Sequence, residues 1–119
     1  MSESIVQQKS LSLAIKILVL KENTLSDNFD IKRQLIKSCT SVGANIAEAQ
    51  YAESRADFIH KLSIALKEAS ETEFWLTLLC SLSNTDQNNV LLKECKEVCA
   101  LLVSSLKTLK TSEQRTGNK

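Results

Sequence analysis

Proline is absent from all 119 residues, and glycine occurs only at Gly43 and Gly117. Many-stranded sheets are joined by turns built on those residues, so a β-rich fold is excluded. Aromatics are few: Phe29, Tyr51, Phe58, Phe74 and Trp75. A base-stacking platform interleaves exposed aromatics with basic residues, and these five do not form that pattern. Neither sign of charge dominates. Fifteen Lys and Arg stand against fourteen Asp and Glu, a net charge of +1 with both signs interspersed. The basic stripe of a dedicated nucleic-acid binder is therefore missing. A long apolar run is missing too, because the most apolar stretch, LSLAIKILVL, is short and contains Lys16. The opening MSESIVQQK has none of the parts of a secretory signal.

What is present is a globular composition, 43% hydrophobic and 24% charged, rich in Leu, Ala, Lys, Glu and Ser. That reads as all-α, one domain over 1–110, with 111–119 as a polar tail that frays. The four cysteines, Cys39, Cys80, Cys95 and Cys99, lie among apolar residues. They read as free thiols in a soluble, cytoplasmic protein.

Apolar periodicity marks four helices. The first runs from Glu3 to Glu22, with Ile5, Leu11, Ala14, Ile15, Leu18 and Val19 as its seam. NTLSDNFD then forms a turn. The second starts near Asp30 with the seam Ile31, Leu35, Cys39, Val42, Ile46 and Ala49, close to a heptad. Ser54 and Asp57 resemble a capping box that starts the third helix at Arg55. Its seam is Phe58, Leu62, Ala65, Ala69, Thr72, Leu76 and Leu79. SNTDQNN, 83–89, is the clearest loop, followed by a fourth helix with Leu91, Cys95, Val98, Leu102, Ser105 and Leu109. Short connections between such helices give an antiparallel up-down four-helix bundle.

A di-metal carboxylate centre in such a bundle needs Glu-x-x-His pairs. The single histidine is His60, with no glutamate three residues before it. Glu68 and Glu71 read instead as a solvated face partnered by Lys61 and Lys67. Cys95 and Cys99 lie four apart but lack the further ligands zinc requires. A spatial Cys–His pair stays open. No metal, cofactor or catalytic residue is expected. Phe74 and Trp75 read as core or subunit packing, and Tyr51 as surface or interface. Lys32, Arg33 and Lys37, on the first turns of the second helix, are the candidates for a weak nucleic-acid patch, Lys32 nearest the core edge. Lys107, Lys110, Arg115 and Lys119 add a positive bias at the C-terminal end.

The stretch TSVGANIAEAQ, 40–50, departs from the amphipathic rule. No charged residue occurs from Ser38 to Ala47. At 100° per residue, Ser38, Asn45, Ser41 and Glu48 flank the seam on one edge; Gly43, Ala47, Thr40, Tyr51 and Ala44 follow on the other. A helix without a charged solvent face is buried on more than one side, which predicts a subunit interface. Ser41, Gly43, Ala44, Asn45, Ala47, Glu48, Tyr51 and Arg55 are its candidates. Asn45 and Glu48 would need polar partners there, with Arg55 as one of them. The alternative is a break at Gly43, with Thr40 to Asn45 as a loop.

From Gln34 to Leu76 the chain resembles a bacterial four-helix-bundle family, that of proteins encoded in 23S ribosomal RNA intervening sequences. The resemblance rests on Gln34 and Leu35, on Asn45, Ile46, Ala47 and Glu48, on Ser54 and Arg55, on Phe58 and Leu62, and on Glu68 and Glu71. Ala49 replaces the family's glycine, and Lys37 is what remains of the basic residues before the small run. The resemblance implies a ring-forming bundle, a homopentamer, with no enzymatic activity; the shortness of the apolar run is what sets the expectation of no membrane association. Relatives include the accessory protein of diversity-generating retroelements, a basic pentamer that binds nucleic acid. That relation implies an alternative role as a nucleic-acid-binding accessory factor.

Overall fold

The computed structural model describes residues 4–20 and 29–117, the side chains of 29 and 112–117 excepted. Four helices account for nearly all of them: α1 (Ile5–Leu18), α2 (Phe29–Ala49), α3 (Arg55–Leu82) and α4 (Asp86–Gly117). α1 packs on α2 and α4, α2 on α3, and α3 on α4. The order is a square in which each helix packs on two neighbours, which is the up-down bundle expected from sequence. Residues 23–28 of the NTLSDNFD turn, with Glu3, Glu22 and Lys119 and the side chain of Arg115, lie outside the described residues; Phe29 and Asp30, the last two of that stretch, already open α2.

Local chemistry sets the boundaries. Ser4 caps α1, its Oγ accepting from the Gln7 backbone N–H at 3.1 Å. Ser54 caps α3, accepting from Asp57 N–H at 3.0 Å. The Asp57 carboxylate reaches back to the backbone N–H of Glu53 at 3.3 Å, one residue before the usual capping-box target. The loop expected over 83–89 shortens to 83–85. Thr85 accepts from Asn88 N–H at 3.1 Å, so Asp86 to Asn89 form the first turn of α4. Asn88 is fully buried and its Nδ2 donates to Ser83 O at 2.9 Å, closing the turn from inside. The polar run is thus a short loop followed by a capped first turn. At the other end α4 continues to Gly117, past Lys110, since nothing before that glycine breaks a helix.

The core runs the length of the bundle. Leu35, Cys39, Val42, Ile46 and Ala49 of α2 face Leu62, Ala65, Ala69, Leu76 and Leu79 of α3 and Leu91, Cys95, Val98 and Leu102 of α4. These are the seams read from periodicity, extended by Leu106; Ile31, Phe58, Ser105 and Leu109 are half-buried toward the ends. A pair of hydroxyls links α2 to α3 across the core. Ser38 Oγ and Thr72 Oγ1, both buried, lie 2.9 Å apart. Each is also within reach of a carbonyl on its own helix, Leu35 O and Glu68 O. The two hydroxyls satisfy each other, so α2 and α3 are held in register without an orphaned polar atom.

The seam of α1 is corrected. Its buried residues are Ser10, Leu13, Ala14 and Ile17, with Leu20 beyond its end, whereas Ile5, Leu11, Ile15, Leu18 and Val19 are more than half exposed. Two sets satisfy the same spacing. Val6, Ser10, Leu13, Ile17 and Leu20 repeat by four and three, and so do Leu11, Ile15 and Leu18. Periodicity finds a seam but cannot choose between two on opposite sides of one helix.

Candidate interaction surface

α2 is continuous through Gly43, so the alternative of a break there is not what forms. Its φ is negative, and a Cβ added at that position would meet nothing within 4 Å. Nothing inside the chain requires glycine here. Opposite the buried seam, Thr40, Ala44, Ala47 and Tyr51 are exposed, Tyr51 at 88%. Ser41, Gly43 and Asn45 are half-buried. The uncharged side of α2 therefore stands open to solvent in the single chain.

Its polar residues find partners other than those expected. Asn45 Nδ2 donates to Ser41 O at 2.9 Å, one turn back, and is within 3.3 Å of Ser41 Oγ. This satisfies its amide donor within the helix. Glu48 pairs with Lys61 of α3 at 3.5 Å rather than with Arg55. Arg55 Nη2 instead donates to Leu109 O of α4 at 3.1 Å. The sequence reading made Lys61 a partner of the Glu68–Glu71 face; helix packing brings it to α2. Partial burial, then the neighbouring Glu71 charge, push the Glu68 carboxyl above its ordinary value.

Lys32, Arg33 and Lys37 are all exposed, so Lys32 is not at the core edge. Arg33 Nη2 lies 3.3 Å from Asp30 Oδ1, which offsets part of that cluster's charge.

The surface that sequence reasoning missed is on α1. The helix carries two charged residues, and both reach α4: Lys9 to Glu97 at 3.1 Å and Lys16 to Glu94 at 2.6 Å. Its outward side, Leu11, Ile15 and Leu18, is left apolar. The signal was legible: Lys9 and Lys16, seven apart, mark one flank, and the outer leucines fall away from it. Phe74 is also exposed, set edge-on against Trp75 with ring centroids 5.0 Å apart.

Cys39 and Cys95 are buried, and Cys80 and Cys99 partly so. Burial pushes Cys39 up to about 11. The hydrogen bond shared between Cys95 and Cys99 raises the first, with burial adding to it, and lowers the second. Burial also raises Cys80. His60 is exposed while Cys39 and Cys95 are buried, so neither pairs with it. Among the described residues no three His, Cys, Asp or Glu side chains gather as metal ligands. No helix among them is long and apolar enough to cross a membrane.

Residues 2–104 match the family described as 23S rRNA-intervening sequence protein. A crystal structure of a protein of unknown function from the S23 ribosomal protein family of Bacteroides thetaiotaomicron is 43% identical. It covers 87% of this chain and 99% of its own, with a TM-score of 0.78. No curated protein matches.

Proposed function

Because the chain belongs to the 23S rRNA-intervening sequence protein family, we propose that it is a non-enzymatic, oligomeric helical bundle, a scaffold or interaction protein of the cytoplasm. One observation carries the reading. Between Lys37 and Glu48 the outer side of α2 has no charged residue, yet Thr40, Ala44 and Ala47 stand exposed on it. A surface helix of a lone bundle keeps a charged stripe in water; a helix that lacks one is suited to a second protein surface. The resemblance to a ring-forming bundle family supports a homopentamer as that assembly. Cys39 and Cys95 are buried and their thiols are raised, which supports packing over catalysis at these two positions.

Light scattering on the purified chain tests this. An oligomer at micromolar concentration is expected, and a monomer throughout would remove the reading.

The second reading, a nucleic-acid-binding accessory factor, draws on the family's description and on exposed Lys32 and Lys37 at one end of α2. Titration with structured RNA at low and moderate salt separates the two. Phosphate contacts weaken steeply as salt rises, so absence of salt-dependent binding removes the second reading and leaves the first.

A further inference from the structure

Ten large apolar side chains among the described residues are strongly exposed, and five belong to α1 or its C-cap: Ile5, Leu11, Ile15, Leu18 and Val19. The rest are scattered over the α2–α3 connection, α3 and α4. Leu11, Ile15 and Leu18 repeat by four and three directly opposite the buried Leu13 and Ile17, so they form a row of knobs on the outward side. Both charges of α1 are drawn to α4, so none interrupts this row. Three to five such side chains together make a patch of roughly a few hundred Å², the size that marks an interaction site.

The complement lies on the same chain. α2 packs beside α1, and its outer side carries Thr40, Gly43, Ala44 and Ala47, with room at Gly43 for atoms the chain does not supply. Glycine within a helix costs about 1 kcal/mol relative to alanine, and the packing of the single chain does not call for it. Knobs on α1 and hollows on α2 both point outward, so they cannot meet within one bundle. Both surfaces are uncharged, so neither forces the other to desolvate an ion.

We infer that the outward row of α1, Leu11, Ile15 and Leu18, packs against the small-residue side of α2 of a second copy of this chain. This rests on the oligomer proposed above and specifies its contact. Large side chains meet small ones, whereas α1 against α1 would set bulk against bulk and leave the hollow at Gly43 unfilled. Where both surfaces of a chain meet the same partner, such a contact closes as a two-fold dimer; where they meet different partners it is head-to-tail, and repeats until it closes a ring or runs on as a filament.

The test uses the full chain with Ile15→Lys and Ala47→Glu, singly and mixed, read by light scattering across micromolar concentrations with circular dichroism as the fold control. Each single variant is expected to fall to the monomer mass with unchanged helicity. Mixing the two should raise the mass about twofold or more, because each retains one intact surface for the other. If Ile15→Lys loses helicity, Leu11→Gln replaces it. Wild-type mass in either single variant overturns the α1-to-α2 contact while leaving the oligomer standing. No mass gain on mixing overturns it as well. A wild-type chain that is monomeric throughout removes both the contact and the proposed function.

Discussion

Toward α4, α1 meets its neighbour through two ion pairs, Lys9 with Glu97 and Lys16 with Glu94, above a buried row that includes Leu13 and Ile17. On its outer side it presents Leu11, Ile15 and Leu18 to water, next to a helix whose own outer side carries small residues. The first flank is finished: its charges are partnered and its apolar surface is covered. The second meets neither condition. One helix of 14 residues thus holds a completed interface and an open one, and the same four-three spacing serves both.

The comparison is sharpest where a buried and an exposed residue of equal size can be exchanged. Ile17, 3% exposed, should lose about 2–5 kcal/mol of stability as Ile17→Ala in urea unfolding, from lost burial and a cavity. Ile15→Ala, at a site 52% exposed, should cost well under half of that in dilute protein. Similar losses for both would mean that the outer side is covered within the chain. On the α3–α4 connection, Asn88→Ala removes one of two hydrogen bonds to the Ser83 carbonyl, the Thr85 N–H keeping the other, and should cost about 1 kcal/mol, read by thermal melting. Thr72→Val keeps the shape of the core but removes the link to Ser38. About 0.5–1.5 kcal/mol is expected, and no loss would show that the hydroxyl pair is not what keeps α2 and α3 in register.

Smaller still is the charged flank. Lys16→Met should cost at most about 1 kcal/mol, and the difference should shrink as salt is added, because the pair is partly exposed. Glu68→Gln should act in the opposite direction. The folded state raises the Glu68 pKa, so its favourable contribution is in place below the unfolded value and is lost as pH rises through the folded one. The variant should therefore melt slightly above wild type at neutral pH, with the gap closing below the usual carboxylate range. A gap independent of pH would remove that explanation.

Much of the candidate surface was legible because α2 breaks a rule that can be counted. The missing charges from Ser38 to Ala47 are a property of the chain, and so is the placement of Ala44 and Ala47 opposite Leu35 and Ile46. Partnerships were not legible. Glu48 lies seven residues from Arg55 but bonds to Lys61, thirteen away, because α3 runs back beside α2. Asn45 was expected to need a partner across an interface; a carbonyl one turn earlier in its own helix supplies it.

By itself, then, the sequence determined four helices, the caps at Ser54 and the seams of α2, α3 and α4. Those depend on short-range spacing and on which side chains avoid water. Only the tertiary structure decided which of two equivalent rows on α1 would be buried. α2 and α4 can cover one side of a helix that touches nothing else, and the ion pairs at Glu94 and Glu97 orient that side. A helix with two apolar sides has two energetically similar ways to face a core. The neighbours it packs against break the tie, and the side they leave uncovered is the one free to meet another molecule.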